Sequence, residues 1–374
     1  MTTTGRISQS AFDGSRLRVI LLLDLYDGAQ QQFLDAYEHM RNQVASVPGH
    51  ISDQLCQSIE NPSQWLITSE WESAPPFLAW VNSEEHVETV RPMHSCVRDT
   101  RSMRYSILRE TSPAQRHASE SATTGTQVAA RVGDGVARHA LTFTVKPGSE
   151  SKVAEILAGY ASPQAQVDDT TRLRRTSLFM HGNRVVRAVE VEGDLLVALR
   201  HVARQPEVRA VEEAINPYLE QDRDLSDPDS ARVFFTRAAL PSVHHVVAGR
   251  KEPADLRRHA LYYPAKRGSG MELARLLAHQ DEAAADDPKN PVYRSTVFQR
   301  DDIVVRLIDI AGELDSDALA SLGLKGPKKA AAMELLLDGA AIGVEGSLET
   351  ERNINRLLSH ADMMPVTDRS SADS

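Results

Sequence analysis

The sequence predicts an α+β fold of three small units, of which the last two are an internal repeat. The tetrapeptide Arg-His-Ala-Leu at residues 138–141 recurs at residues 258–261, and internal similarity of this kind marks one structural unit used twice. Within residues 16–110, extended and helical patterns follow the order β-α-β-β-α-β, which is that of a ferredoxin-like unit. Such a unit leaves one sheet face uncovered, so we expect the two repeats to close on each other as in dimeric α+β barrels.

The first unit begins with an apolar run. Leu17 to Leu25 predicts a strand, and Pro48-Gly49 ends the helix that follows it. The later predicted elements are strands at 50–58 and 64–72, a short helix after Ser73 that carries Phe77 and Trp80, a helix from 84 to 97 and a closing strand around 103–107. These elements complete the predicted β-α-β-β-α-β order.

The two repeats, residues 138–240 and 258–360, are predicted to follow one plan. In each, an opening strand leads to a helix and then to a hairpin. The hairpin arms are predicted at 173–180 and 184–191 in the first repeat and at 293–298 and 303–310 in the second, with closing strands at 232–236 and around 340–344. Arg187 and Arg306 occupy matching positions in this alignment.

Four segments are predicted to lie outside the units. Residues 1–15 are expected to be a disordered tail, and residues 111–137, rich in Ser, Thr, Ala and Gly, a flexible linker. Residues 241–257 are expected to connect the two repeats, and residues 361–374 to form a C-terminal tail.

Composition excludes several classes of protein. A net charge of -10 argues against a nucleic-acid binder, which would be expected to carry a basic face. The apolar run from Val19 to Leu23 is far too short to span a membrane. The two cysteines, Cys56 and Cys96, form no metal motif, so we expect a reduced, cytoplasmic chain with no metal site. No nucleotide or flavin motif is present, and no cofactor is therefore predicted.

All three tryptophans lie close together in the first unit, at Trp65, Trp71 and Trp80. Alternate residues of a strand share a face, so Trp65, Ser69 and Trp71 are predicted to point the same way. Together with Phe77, these rings are either core residues or an aromatic wall for a flat ligand.

Polar candidates surround these rings. Histidine is the side chain best suited to exchange a proton near neutral pH. His86 and His50 are the favoured histidines, because His86 follows directly on the aromatic helix and His50 follows Pro48-Gly49. Gln54 is a third candidate for the same pocket. The alternative for each histidine is a capping or surface role.

The repeated tetrapeptide suggests a second candidate site. Arg138 and His139 match Arg258 and His259 at the start of each first strand, where related units often place residues near a pseudo-twofold axis. These side chains either share a site there or bind local partners.

Two families share the motifs of this chain. The segments Pro48-Gly49-His50, Trp-Leu-Ile-Thr-Ser-Glu-Trp-Glu-Ser at 65–73 and Ser83-Glu84-Glu85-His86 make residues 16–110 similar to the antibiotic biosynthesis monooxygenases. From Arg138 onward the chain resembles the SchA/CurD-like family of type II polyketide and spore-pigment clusters. The first resemblance implies oxidation of an electron-rich polycyclic phenol by molecular oxygen, without flavin, haem or metal.

The resemblance also implies roles for particular residues. Trp71 matches the pocket tryptophan of the monooxygenase family, and His86 matches the histidine of its Ser-x-x-His segment. The family's asparagine, four residues before that tryptophan, is Ile67 here. Gln54 and Ser69 are the candidates to replace its polar contact.

These resemblances imply a monooxygenase that acts on an aromatic polyketide intermediate. The alternatives are a polyketide cyclase or aromatase, and a non-catalytic module that docks on partner cyclases. We expect the two repeats to pack as an internal pseudo-dimer and the first unit to pair with a second copy, which would make a homodimer.

Overall fold

The computed structural model describes residues 6–108, 110, 133–159, 163–326, 328–344 and 346–371. The chain forms two compact units, an N-terminal unit of residues 11–131 and a C-terminal unit of residues 1–10 with 132–374. Most of the predicted linker, residues 111–132, lies outside the described residues. Residues 136 and 137 at its end belong to a strand.

The first strand corrects the prediction of a disordered tail. Residues Ile7–Ser10 form β1, which runs antiparallel to residues 244–247 of the C-terminal unit. Arg6 and Ser8 on either side of Ile7 both bond the carboxylate of Glu282. Backbone pairing and this acidic partner, both distant in sequence, explain why local composition did not predict the strand.

The N-terminal unit has the predicted ferredoxin-like order. Its elements are β2 (Leu17–Leu25), α1 (Gln30–Val44), β3 (His50–Gln57), β4 (Gln64–Trp71), α2 (Ala74–Val81), α3 (Glu84–His94) and β5 (Val97–Ser106). The four strands form an antiparallel sheet in the order β3-β4-β2-β5. Helix α1 buries Phe33, Tyr37, Met40 and Val44, which recur at helical spacing, and its side of the sheet is the core.

The C-terminal unit contains the two repeats. The first consists of β6 (Val136–Thr144), α4 (Glu150–Ala158), β7 (Arg172–His181), β8 (Arg184–Glu192), α5 (Leu195–Arg204), α6 (Pro206–Ile215), α7 (Pro228–Ala238) and β9 (Ala239–Val247). The second consists of β10 (Leu256–Pro264), α8 (Gly270–Ala284), β11 (Val292–Arg300), β12 (Ile303–Ala311), α9 (Ala318–Ser321), α10 (Lys329–Leu336), α11 (Glu351–Ala361) and β13 (Met364–Ser370). The α+β fold with an internal repeat is therefore confirmed.

The closing strands differ from the prediction. Residues 232–236 lie inside α7, because Asp227 caps that helix and Pro228 occupies its first turn. The closing strand β9 instead occupies part of the predicted connector. Residues 340–344 form turns, and β13 lies in the predicted C-terminal tail.

The repeats exchange these closing strands. Strand β9 of the first repeat pairs with β11 of the second, and β13 of the second pairs with β7 of the first. The sheet order is β10-β12-β11-β9-β6-β8-β7-β13. Its two ends also meet, since the Met363 amide donates to the Ala260 carbonyl and Leu261 bridges to Asp362. The sheet therefore curls into a barrel.

The barrel has a packed interior and an outer face covered by helices. Side chains of both repeats form one interior cluster, which includes Ala140, Phe179, Leu240, Phe298 and Val305. Because successive side chains on a strand alternate, the neighbours of these residues point outward to the helices. This outer face carries the cavity described below.

Candidate functional sites

Four of the predicted aromatic and histidine residues meet in the N-terminal unit. Trp71 is fully buried, with its ring centroid 5.4 Å from that of Phe77 and 5.7 Å from that of Trp80. The Trp80 ring in turn lies 4.2 Å from the ring of His86. Trp80 and His86 are only half-buried. Of these four residues, they are therefore the ones that a ligand can reach.

The fifth predicted residue, His50, joins this cluster from β3. Its ring lies 5.1 Å from that of Trp71, and its Nε2 lies 3.6 Å from Asp53 Oδ1. Burial lowers the pKa of His50, and the negative charge of Asp53 opposes only part of that effect. His50 is thus a neutral imidazole at neutral pH, as a general base must be.

Asp53 also binds Tyr37, a residue that the motifs did not single out. The Tyr37 hydroxyl donates to Asp53 Oδ2, and burial followed by this hydrogen bond raises the pKa of Tyr37. Tyr37, Asp53 and His50 form a continuous polar line beside the aromatic cluster. The helical spacing of Tyr37 with Phe33 and Met40 showed only that it faces the core.

Gln54 does not share this pocket, which corrects the prediction. It is exposed and pairs with Thr68, whereas Asp53 pairs with Ser69 on the face of Trp71. A register shift between His50 and Ser52 moves the strand by one residue. Since side chains alternate, this bulge turns Asp53 inward and Gln54 outward.

Ser69 and Trp65 have different surroundings. Ser69 Oγ accepts a hydrogen bond of 3.0 Å from Trp71 Nε1, so it orients that ring. Trp65 lies at the other end of β4, where its ring packs 5.5 Å from Phe33 and its Nε1 donates to the Pro62 carbonyl. Trp65 is therefore a core residue outside the aromatic cluster.

The paired Arg-His residues of the repeats do not form one shared site. Arg258 lies on the barrel interior, where its Nε is 2.7 Å from Asp309 and its Nη1 is 2.7 Å from Glu190 of the other repeat. Arg138 binds Asp134 instead. His139 and His259 alternate with these arginines and so face the helices. The structure thus favours the alternative, in which the two arginines bind separate partners.

A cavity of about 710 Å³ lies between the outer face of the first repeat's sheet and helices α5, α6 and α7. Its floor includes His139, Leu141 and Arg187 from β6 and β8, and its roof is largely aliphatic. Arg187 Nη1 bonds Glu212 Oε1 at 2.6 Å. No motif predicted this cavity.

Glu212 is shared by two cations. Its second oxygen, Oε2, lies 2.7 Å from Nη2 of Arg223. Burial alone would raise the pKa of Glu212, but the charges of Arg187 and Arg223 outweigh it and hold that pKa below its usual value. Glu212 is therefore ionised, and the three residues carry a net positive charge.

The whole chain is similar to known proteins. It is 68% identical over 372 residues to "Polyketide synthase CurD" of Streptomyces cyaneus, an alignment that covers 100% of both chains. The chain belongs to the SchA/CurD family. It is also 60% identical to "Protein SchA" of Streptomyces halstedii, over 99% of this chain and 97% of that protein.

Two family models match parts of this SchA/CurD protein. The model for antibiotic biosynthesis monooxygenase matches residues 16–92, and the model for the SchA/CurD like domain matches residues 136–248. The aromatic cluster thus lies in the monooxygenase-type domain and the cavity in the SchA/CurD-like domain. The asparagine position of the first family holds Ile67, which is buried.

Solved structures of single small domains align with about a quarter of this chain. SnoaB of Streptomyces nogalater, described as a cofactor-independent oxygenase, is 12% identical and aligns over 26% of this chain and 98% of its own, with a TM-score of 0.25. A conserved protein of Methanosarcina mazei Go1 is 18% identical over 25% of this chain and 94% of its own, with a TM-score of 0.24. Neither likeness bears on function.

Two features are absent from the residues that the structure describes. No helix among them is long and apolar enough to cross a membrane. Within the same ranges, no group of three or more His, Cys, Asp and Glu side chains is placed to hold a metal ion.

Proposed function

We propose that this SchA/CurD protein is a monooxygenase that oxidises a polycyclic aromatic polyketide with molecular oxygen and no prosthetic group. The observation that carries the proposal is the position of His50, whose side chain is 5% exposed and lies between Asp53 and the aromatic cluster. The match of residues 16–92 to the monooxygenase model and the relative named polyketide synthase CurD support the reaction class and the substrate class.

The chemistry needs a phenol that is made anionic within a dry, aromatic site. His50 takes the phenol proton, and the negative charge of Asp53 stabilises the imidazolium that forms. The half-buried rings of Trp80 and His86 contact the substrate, while Trp71 and Phe77 support them from behind.

The electrons come from the substrate itself. A ring anion is a good reductant, so it transfers an electron to dioxygen, and the two radicals combine at a ring carbon to give a hydroperoxide. Loss of water then gives the quinone. One oxygen atom is retained as the new carbonyl and the other leaves as water, with both substrate hydrogens, so no external reductant is required.

Labelled oxygen provides the direct test. Full-length protein incubated with an anthrone under ¹⁸O₂ should yield a quinone that carries one ¹⁸O, faster than in buffer alone. His50→Ala should lower kcat by about 100-fold or more, whereas Gln54→Ala, on the opposite face of the same strand, should match the wild type. Conversion no faster than the uncatalysed rate would overturn the proposal, and ring closure of an open poly-β-ketone in the absence of oxygen would indicate a cyclase.

We further propose that the monooxygenase-type domain pairs with a second copy. The sheet face opposite the helices carries Leu22 and Tyr105, and both side chains are exposed. Apolar residues on an uncovered sheet face favour an interface. A homodimer in light scattering would support this pairing, and a strict monomer at micromolar concentration would contradict it.

A further inference from the structure

The cavity of the first repeat has the size and walls of a ligand site. Its volume of about 710 Å³ falls within the usual range for pockets that take small organic molecules. Leu141 and Val189 from the sheet, Phe235 from α7 and Leu199 and Val202 from α5 supply apolar walls. A molecule with flat, apolar rings would bury most of its surface there.

Helix α5 indicates that the space is not simply loose packing. Leu196, Leu199 and Val202 lie on one face at helical spacing, a pattern that normally buries an apolar stripe in a core. Here only Ala198 of the whole helix is buried, and Leu196 is 38% exposed. Val202 packs partly against a core cluster of Leu173, Val191 and Ala198, while Leu196 and Leu199 of the same stripe line the cavity.

The charges that line the cavity are mostly positive. Four arginines and two glutamates contribute to its walls, although the chain as a whole carries a net charge of -10. Glu212 is already neutralised by Arg187 and Arg223. An apolar chamber with excess guanidinium groups favours a ligand that carries an anionic oxygen.

The second repeat shows what the same position looks like when it is filled. Arg306 matches Arg187 but is 1% exposed, and its Nη2 lies 2.6 Å from Asp281 of α8. Helix α8 has 15 residues, whereas α4 of the first repeat has 9. Asp281 lies in the last turn of α8 and closes the ion pair of Arg306, whereas Arg187 of the first repeat pairs with Glu212 of α6.

We propose that this cavity binds a flat, polycyclic aromatic molecule that carries a carboxylate or phenolate, with its rings under α5 and its anionic oxygen toward Arg187. The site belongs to the SchA/CurD-like domain. The proposal goes beyond the oxygenation described above and does not depend on it.

Calorimetric titration of the full-length protein tests the proposal. Anthraquinone-2-carboxylate should bind, and anthraquinone-2-carboxamide, which has the same shape without the charge, should bind at least tenfold more weakly. Leu199→Trp places an indole in the cavity and should weaken carboxylate binding at least tenfold. Val197→Trp, on the same helix but outside the cavity lining, is the matched control and should bind as the wild type does.

Three results would overturn the proposal: no binding by the wild type, equal affinity for the acid and the amide, or equal affinity of Leu199→Trp and Val197→Trp. Hydrogen exchange provides a readout that needs no variant, because the ligand should protect amides of α5 and α6 in the wild type. A His50→Ala protein should bind the carboxylate normally, so loss of oxygenation and loss of this site can be told apart.

Discussion

The two repeats carry the same arginine at the same sheet position and use it differently. In the second repeat, Arg306 is enclosed by Asp281 and the Ser321 carbonyl and belongs to a closed core. In the first, Arg187 shares Glu212 with Arg223 at the wall of a cavity. The two arginines differ in the element that supplies their carboxylate, which is α8 in the second repeat and α6 in the first. Duplication lets one copy stabilise the barrel while the other keeps an open chamber, because the exchanged strands hold both in one sheet.

The largest expected effect is on stability, and it separates the two arginines. Arg306→Met leaves the buried carboxylate of Asp281 without its ion-pair partner and should lower the free energy of unfolding by about 3 to 5 kcal/mol. Arg187→Met should cost far less, about 1 kcal/mol, because Arg223 still neutralises Glu212. Urea denaturation of both variants measures the difference. Equal losses would show that the two positions are equivalent after all.

The barrel interior gives a second contrast, between Asp309 and Glu190 at matching positions. Asp309 lies 2.7 Å from Arg258 and 2.8 Å from Arg294, whereas Glu190 lies 2.7 Å from Arg258. Asp309→Asn should therefore cost about 3 kcal/mol at neutral pH. Glu190→Gln should cost less, since it leaves the Asp309 pairs intact.

Acid titration sharpens this second contrast. Burial alone would raise the pKa of Asp309, but Arg258 and the other arginines hold it well below its usual value. A carboxyl with a depressed folded pKa stabilises the protein above its unfolded pKa of about 4 and loses that contribution as the pH falls toward the folded pKa. Stability should therefore decline below about pH 4, and Asp309→Asn should show a shallower decline. An unchanged acid profile would contradict this assignment.

The N-terminal unit should show a smaller effect, on the pH dependence of oxygenation. Because burial lowers the pKa of His50, kcat/KM should stay high until the pH falls below the ordinary histidine value of about 6.5. Asp53→Asn removes the negative charge that stabilises the imidazolium. The pH at which kcat/KM falls on the acid side should therefore decrease by about one unit. Gln54→Ala should leave that pH unchanged. An unchanged value in Asp53→Asn would exclude His50 as the base.

Sequence patterns predicted helices, strands and turns better than they predicted which strands pair with each other. The recurrent tetrapeptide and the hairpin with arms at 173–180 and 184–191 predicted the repeats correctly, because both depend on residues close in sequence. The Val-Phe-Phe-Thr run at 233–236 was assigned to a strand, yet the cap at Asp227 makes it helical. Strand exchange between the repeats depends on contacts more than a hundred residues apart, which local propensity does not encode.

The candidate sites were also predicted less well where they depend on contacts between strands or helices. Trp71, Trp80, His86 and His50 were predicted for one site and the structure brings them together, but Trp65, predicted with them, packs against Phe33 instead. Asp53 and Tyr37 were missed, since a bulge in β3 decides which residue of that strand faces inward. The cavity was missed because it arises from how α5, α6 and α7 pack over the sheet, which no local sequence pattern encodes.

The smallest expected effect tests whether the cavity wall is packed. Leu199→Ala removes an apolar side chain that faces open space, so the free energy of unfolding should fall by about 1 kcal/mol or less. Leu277 of α8 in the filled repeat is fully buried, and Leu277→Ala should cost about 2 to 5 kcal/mol because it creates a void in a close-packed core. Denaturation curves of the two variants compare them directly. A similar loss at Leu199 would mean that α5 is packed against a core, and the first repeat would then be as closed as the second.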